Sequence, residues 1–157
     1  GAISRLKRPS VNIVGVPVDD DGLSSAKLAE ALNDLKGRGI RPKYIYTIPT
    51  VQNPTATIMS AGRRLELLKL SRAYGVPIFE DECYADLIWD GKRPQALRAM
   101  ADNSDRVIHI GSFSKSIAPA LRMGWLVAGW PLMTAAPAQS RQAGCSTVKL
   151  WHLERVS

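Results

Sequence analysis

The sequence predicts an α/β protein of three layers, a mostly parallel sheet with helices on both faces. Short β-rich apolar runs alternate with stretches whose apolar residues recur at helical spacing. Clusters of Gly, Pro and Asp punctuate them where turns and helix ends belong. The length, 157 residues of which 45% are hydrophobic, suffices for one compact unit with a sizeable core.

Taken in order, Val11 to Val18 is a β-branched apolar run that predicts a strand, closed by the turn cluster Asp19-Asp20-Asp21-Gly22. A helix follows from an N-cap at Ser24 or Ser25, with Leu28, Ala31, Leu32 and Leu35 on one stripe and Gly37 and Gly39 at its stop. Tyr44 to Ile48 is a short strand ended by Pro49. After Ser60 a second helical pattern carries Leu65, Leu67, Leu68, Leu70 and Tyr74, stopped by Gly75 with Pro77 beyond. Val76 to Phe79 is the next strand, Ala96 to Met100 a shorter helix, and Val107 to Ile110 and Trp125 to Ala128 two further strands. From about Ala135 the pattern loses periodicity, so residues 1–134 form the folded portion and 135–157 a tail of unassigned structure.

The net charge of +7 raises the question of a nucleic-acid partner, but the Lys and Arg residues are scattered singly or in pairs such as Arg63-Arg64. A solvated surface explains them, and neither nucleic acid nor membrane is expected as a partner. No apolar run reaches bilayer length and no signal-peptide pattern opens the sequence. Cys83 and Cys145 form no CxxC or Cys/His cluster, so no metal site is expected and a reduced, cytoplasmic setting is the default.

In open parallel sheets ligands bind outside the carboxyl ends of the strands. Asn53 follows one strand, Asp81 the next, and Ser112, Ser114 and Lys115 a third, so parallel strands would bring an amide, a carboxylate, an amine and hydroxyls to one rim. The loop Gly111 to Ser116, with Arg122 one to two turns on, has the hydroxyls, N–H groups and guanidinium of a phosphate cradle. It lacks the Walker A spacing, and no GxGxxG is present. Plainer readings stand beside these. Asp81 could cap a helix, Asn53-Pro54 is a common turn pair, and a lysine in a Ser-rich loop is usually solvated. Cys83 suits a small packed position, His109 a strand position facing the core or a helix, and Trp125 the core. His109 and His152 suggest no catalytic pair.

Three motifs in order and spacing carry more information than their parts: Val51-Gln52-Asn53-Pro54-Thr55, Phe79-Glu80-Asp81-Glu82-Cys83-Tyr84, and Gly111-Ser112-Phe113-Ser114-Lys115 continuing to Pro119-Ala120-Leu121-Arg122-Met123-Gly124. With them the chain, from Ile3 to about Met133, resembles the fold-type I pyridoxal-phosphate-dependent aminotransferases of class I and II. The resemblance implies the central part of that family's large domain and the cofactor pyridoxal 5'-phosphate. It implies that Lys115 forms the Schiff base and moves the substrate Cα proton, that Asp81 keeps the pyridine nitrogen protonated, and that Asn53 and Tyr84 bond the ring's 3-oxygen. Ser112, Ser114 and Arg122 would hold the phosphate. The catalytic set is then Lys115, Asp81 and Tyr84, and the partners are an amino acid and a 2-oxo acid, with a homodimer where the chain is complete.

Ala56 and Ala120 depart from the family, which often has Gly there; both are small but exclude left-handed glycine geometry. The family's upstream segment, with phosphate-binding N–H groups and a stacking aromatic ring, is not recognisable, nor is the small domain whose arginine binds the substrate carboxylate. Arg141 and Arg155 do not stand in for that arginine. The expectation is a fragment or truncated relative that binds cofactor weakly by itself. A lyase on the same fold is one alternative. A non-catalytic cofactor-binding fragment or regulatory module is another, although no helix-turn-helix precedes the motifs and Asn53 differs from the Phe-Pro context usual in the regulator branch.

Overall fold

The computed structural model describes residues 12–129, apart from residues 90, 102–105 and 122. The predicted tail, 135–157, and Arg122 therefore lie outside the described residues.

The first apolar run is not a strand of the sheet. Residues 12–17 have no regular structure, Val11 is outside the described residues, and only Val18–Asp19 (β1) pairs, antiparallel, with Gly22–Leu23 (β2). The Asp-rich turn stands where expected. Among the described residues, 12–17 pair with no strand, and Ile13 and Val14 are exposed. Gly22, at φ 99°, lies against Met59, where any Cβ would sit 2.9 Å from the Met59 Cβ.

Helix α1 spans Ser25–Gly37, and the Ser24 hydroxyl accepts from the Lys27 N–H at 3.4 Å as its N-cap. It buries Leu28 and Leu32. Helix α2, Ala61–Tyr74, is capped by Ser60 and stopped by Gly75, whose φ of 66° is the left-handed geometry that a C-terminal glycine supplies without a Cβ penalty. Its inward stripe differs from expectation. Arg64, Leu67 and Ser71 are buried, while Leu65 is exposed. Residues 64, 67 and 71 share one face at helical spacing, and Leu65 lies about 100° around from Arg64.

Strands Ile45–Thr47 (β3), Ile78–Asp81 (β4), Val107–Ser112 (β5) and Gly124–Val127 (β6) form one sheet in that order. The first two pairings are parallel and the last antiparallel. The mostly parallel sheet flanked by helices is thus the predicted α/β class. β4 begins and ends two residues later than the sequence suggested, which makes Asp81 its last residue rather than a helix cap. Short helix α3, Leu97–Met100, has no side-chain cap of its own; the Glu80 carboxylate from β4 accepts from the N–H groups of Leu97 and Arg98 instead.

One core fills the space between helices and sheet: Leu28 and Leu32, Ile45, Leu67, Ile78, Leu97 and Val107, with Leu23, Met59 and Val76. Trp125, expected in the core, is on edge strand β6 and more than a third exposed, tilted against His109 at 4.8 Å between ring centroids. Gly111 makes room for it, since a Cβ there would fall 2.2 Å from Trp125 Cζ2. Among the described residues no helix is long and apolar enough to cross a membrane.

Candidate active site

The parallel pairing of β3, β4 and β5 brings their carboxyl ends to one rim. Asp81 ends β4, Ser112 ends β5, and Asn53 stands in the loop that leaves β3.

Alternation along β4 divides its last residues between two environments. Glu80 and Glu82 are buried, while Asp81 and Cys83, which alternate with them along β4 and just past its end, are half-buried. Asp81 is held at both oxygens: the Tyr46 hydroxyl donates to Oδ2 at 2.6 Å and the Cys83 N–H to Oδ1 at 3.2 Å. A carboxylate has about four acceptor sites, so these two bonds fix its plane and leave acceptor capacity for a further donor. Burial pushes the Tyr46 hydroxyl strongly up in pKa, reinforced by Asp81, so it stays a donor. Burial, with the negative Asp81 beside it, likewise pushes the Cys83 thiol up to about 12, although Lys115 pulls the other way.

Asn53 donates from Nδ2 to the Tyr84 hydroxyl at 3.1 Å, across 31 residues of sequence. Lys115 Nζ lies 5.6 Å from the centroid of the Tyr84 ring, a cation-π distance. Amide, phenol and amine therefore converge from three segments. Lys115 is exposed and Ser112 and Ser114 are half-buried. The Ser112 hydroxyl works within its own loop, donating to the Met123 carbonyl at 3.4 Å and accepting from the Ser114 N–H at 3.2 Å. Beyond the loop the chain continues as a turn and a 3-10 segment, Pro119–Leu121.

The loop between β3 and α2 holds a surprise. Ala56 has φ 59° and Val51 φ 53°, so the left-handed geometry that alanine was expected to exclude is adopted, and by a β-branched residue as well. Each such residue costs on the order of 1–3 kcal/mol and persists only where its surroundings overdetermine it.

Against both ends of that loop lies Arg64, which the sequence reading placed with Arg63 on a solvated surface and which is instead buried, because it faces carbonyls and carboxylates inside the fold. This guanidinium, 1% exposed, donates from Nε to the Met59 carbonyl (3.0 Å), from Nη2 to the Pro49 carbonyl (3.0 Å) and Thr50 Oγ1 (2.9 Å), and from Nη1 to the Gln95 carbonyl (3.3 Å). Glu80 lies 3.9 Å and Glu82 3.7 Å from Nη1. Thr50 donates onward to Glu82 at 2.8 Å, Arg93 reaches Glu82 at 3.6 Å, and His109 Nδ1 is 2.7 Å from Glu80. Burial pushes Arg64 down and Glu82 up in pKa, so for both the loss of water outweighs the pairing. The available signal was the strand alternation: Glu80 and Glu82 must face one side together, and two carboxylates against a helix layer need a cation.

The donor set fits the cofactor that the resemblance implies. A fixed carboxylate suits a protonated ring nitrogen, the amide and phenol suit a ring oxygen, and the primary amine suits an aldehyde.

Comparison with known proteins identifies the family. The aminotransferase class I and II family matches residues 6–148. The chain is 39% identical over 127 residues to aromatic-amino-acid aminotransferase 1 of Thermococcus litoralis, covering 81% of this chain and 30% of that protein. It is also 39% identical over 119 residues to an uncharacterized HTH-type transcriptional regulator of Bacillus subtilis, covering 76% of this chain and 23% of the regulator. Among solved structures, an archaeal alanine:glyoxylate aminotransferase superposes with TM-score 0.79 at 37% identity, over 86% of this chain and 33% of that one. The Pyrococcus horikoshii kynurenine aminotransferase, solved with PMP, superposes with TM-score 0.78 at 35% identity, over 84% and 32%. The chain thus spans about a third or less of the length of these relatives, and it belongs to the class I and II aminotransferase family.

Proposed function

We propose that the chain forms the cofactor-binding part of a pyridoxal-phosphate-dependent aminotransferase, which moves an amino group between an amino acid and a 2-oxo acid. The convergence of Asn53, Tyr84 and Lys115, with Asp81 fixed at the end of the adjacent strand, carries this reading. When bound, pyridoxal phosphate supplies the electron sink that makes the substrate Cα–H acidic. Asp81, oriented by Tyr46 and the Cys83 N–H, holds a proton at the ring nitrogen. Asn53 and Tyr84, already bonded to each other, orient the ring through its oxygen. Lys115 would supply the amine that displaces the aldehyde oxygen as water, and would carry the substrate Cα proton. Ser112, Ser114 and Arg122 are assigned to the phosphate, the serines through a loop whose backbone Ser112 organises. A second copy of the chain is expected to complete the site, and sedimentation with and without cofactor reads that directly.

The test is reductive trapping. Incubation with pyridoxal phosphate followed by borohydride should attach the cofactor to the peptide containing Lys115, and Lys115→Ala should abolish both the label and the visible absorbance. Labelling of a different lysine, or absorbance that survives in Lys115→Ala, would sink the assignment. The identity shared with an HTH-type regulator favours a second reading, the same cofactor site serving a regulator. Label at Lys115 without amino transfer from a panel of amino acids would select it.

A further inference from the structure

We infer that Arg64, on a helix that supplies no residue to the site, is the positioning residue that holds the Asn53 loop in its strained form and so sets the Asn53–Tyr84 hydrogen bond. Its guanidinium takes both ends of that loop, the carbonyls of Pro49 and Met59, and the Thr50 hydroxyl between. The ends also close on each other, Met59 N–H to the Pro49 carbonyl at 2.8 Å, so a single planar fork spans the loop's neck. The same group lies beside Glu80 and Glu82, the neighbours of Asp81 in the chain. Arg64 thereby joins the segment bearing Asn53 to the segment bearing Asp81 and Tyr84 through one buried charge. The strain gives the clamp something to hold. Val51 and Ala56 sit at φ 53° and 59° on either side of Asn53, and a released loop would relax toward ordinary backbone.

This arrangement makes a distinctive expectation: glycine at a strained position should substitute for the clamp. Glycine adopts positive φ without a Cβ penalty, so it removes the drive to relax. In Arg64→Lys, which keeps the charge and loses the fork, amide exchange of Gln52, Ala56 and Met59 should rise about tenfold or more while α1 is unchanged. The Asn53 side-chain amide resonance should shift at the same time. Adding Val51→Gly or Ala56→Gly should recover much of the protection and return the resonance toward its parent position. Ile58→Gly, at a loop position without positive φ, should recover neither.

Uniform loosening of the whole chain, an unchanged loop, or equal rescue by Ile58→Gly would overturn the assignment. Should Arg64→Lys fail to fold, Thr50→Val interrupts the same joint, because Thr50 accepts from Arg64 and donates to Glu82, and the same outcomes apply. The bearing on cofactor rests on the function proposed above and has its own arm. Trapping of pyridoxal phosphate at Lys115 should slow in Arg64→Lys and recover with Ala56→Gly; unaltered trapping beside a loosened loop would overturn the link to the site. Failure of the parent chain to take up pyridoxal phosphate would sink the proposed function alone and leave exchange and resonance to decide Arg64.

Discussion

The loop that carries Asn53 and the loop that carries Lys115 reach the same rim of the sheet and are built in opposite ways. The first is anchored from beneath by a buried guanidinium and two buried carboxylates, with side chain bonding to main chain at both of its ends. The second is held by its own backbone: Phe113 N–H to the Met123 carbonyl at 3.1 Å, and the N–H groups of Ile117 and Ala118 to the Phe113 carbonyl at 3.0 Å. Lys115 and Ile117 on it are exposed. Charge-assisted bonds out of water are the strong ones, and bonds among exposed neutral groups are weak. The edge of the site that would orient a ring is therefore set before any ligand arrives, while the half that would take phosphate and aldehyde is organised locally.

That contrast can be broken most forcefully at Glu82. Glu82→Ala takes from buried Arg64 its nearer carboxylate, leaving Glu80 at 3.9 Å, takes from Arg93 one of two, and should cost about 3–5 kcal/mol of stability, read from urea unfolding. A loss below about 1 kcal/mol would mean that the network is as dispensable as a surface ion pair. A comparable effect, read chemically, is expected at Cys83. Its thiol is pushed up to about 12, so in a Cys145→Ser background, which leaves it the only thiol, alkylation at pH 8 should run roughly a thousandfold slower than for a free cysteine. Because its folded value lies above the unfolded one, the associated stability is whole below about pH 9 and is lost as pH rises through about 12. Rapid alkylation at pH 8 would show that this face of β4 is open to water.

Tyr46→Phe removes one half-buried donor to a carboxylate and should cost about 1.5–3 kcal/mol, again from urea unfolding, with Asp81→Asn in a double-mutant cycle to show the coupling. Strict additivity of the two changes would mean that Tyr46 does not hold Asp81. Ser112→Ala should cost least, about 1 kcal/mol or under, because both of its bonds are long and local. A penalty as large as that of Glu82→Ala would erase the distinction between the loops.

Much of this was readable along the chain. Ser24, Ser60 and Gly75 mark helix ends because caps act over a few residues. Asn53, Asp81 and Lys115 stood out because each follows a strand in a sheet whose parallel pairing the alternating pattern implied. Where the signal was local periodicity alone it failed in instructive places. Residues 12–17 have the composition of a strand but no regular structure, and Trp125 has the composition of a core residue on a strand that is an edge. Alanine's ordinary preference argued against positive φ at position 56, yet the folded loop, which bonds the Ala56 N–H to the Gln52 carbonyl at 2.6 Å, adopts it.

By itself, then, the sequence determined the α/β class, the caps and the three motifs, since these depend on side-chain pattern and short-range geometry. Only the tertiary structure decided that Arg64 points inward while Leu65 points out, that Glu80 caps α3 and faces His109, and that Tyr46 holds Asp81. The pairings of Glu80 and of Tyr46 join residues from different elements, and a charge out of water is tolerable only where such partners, 17 to 35 positions away in these pairs, arrive at hydrogen-bonding distance.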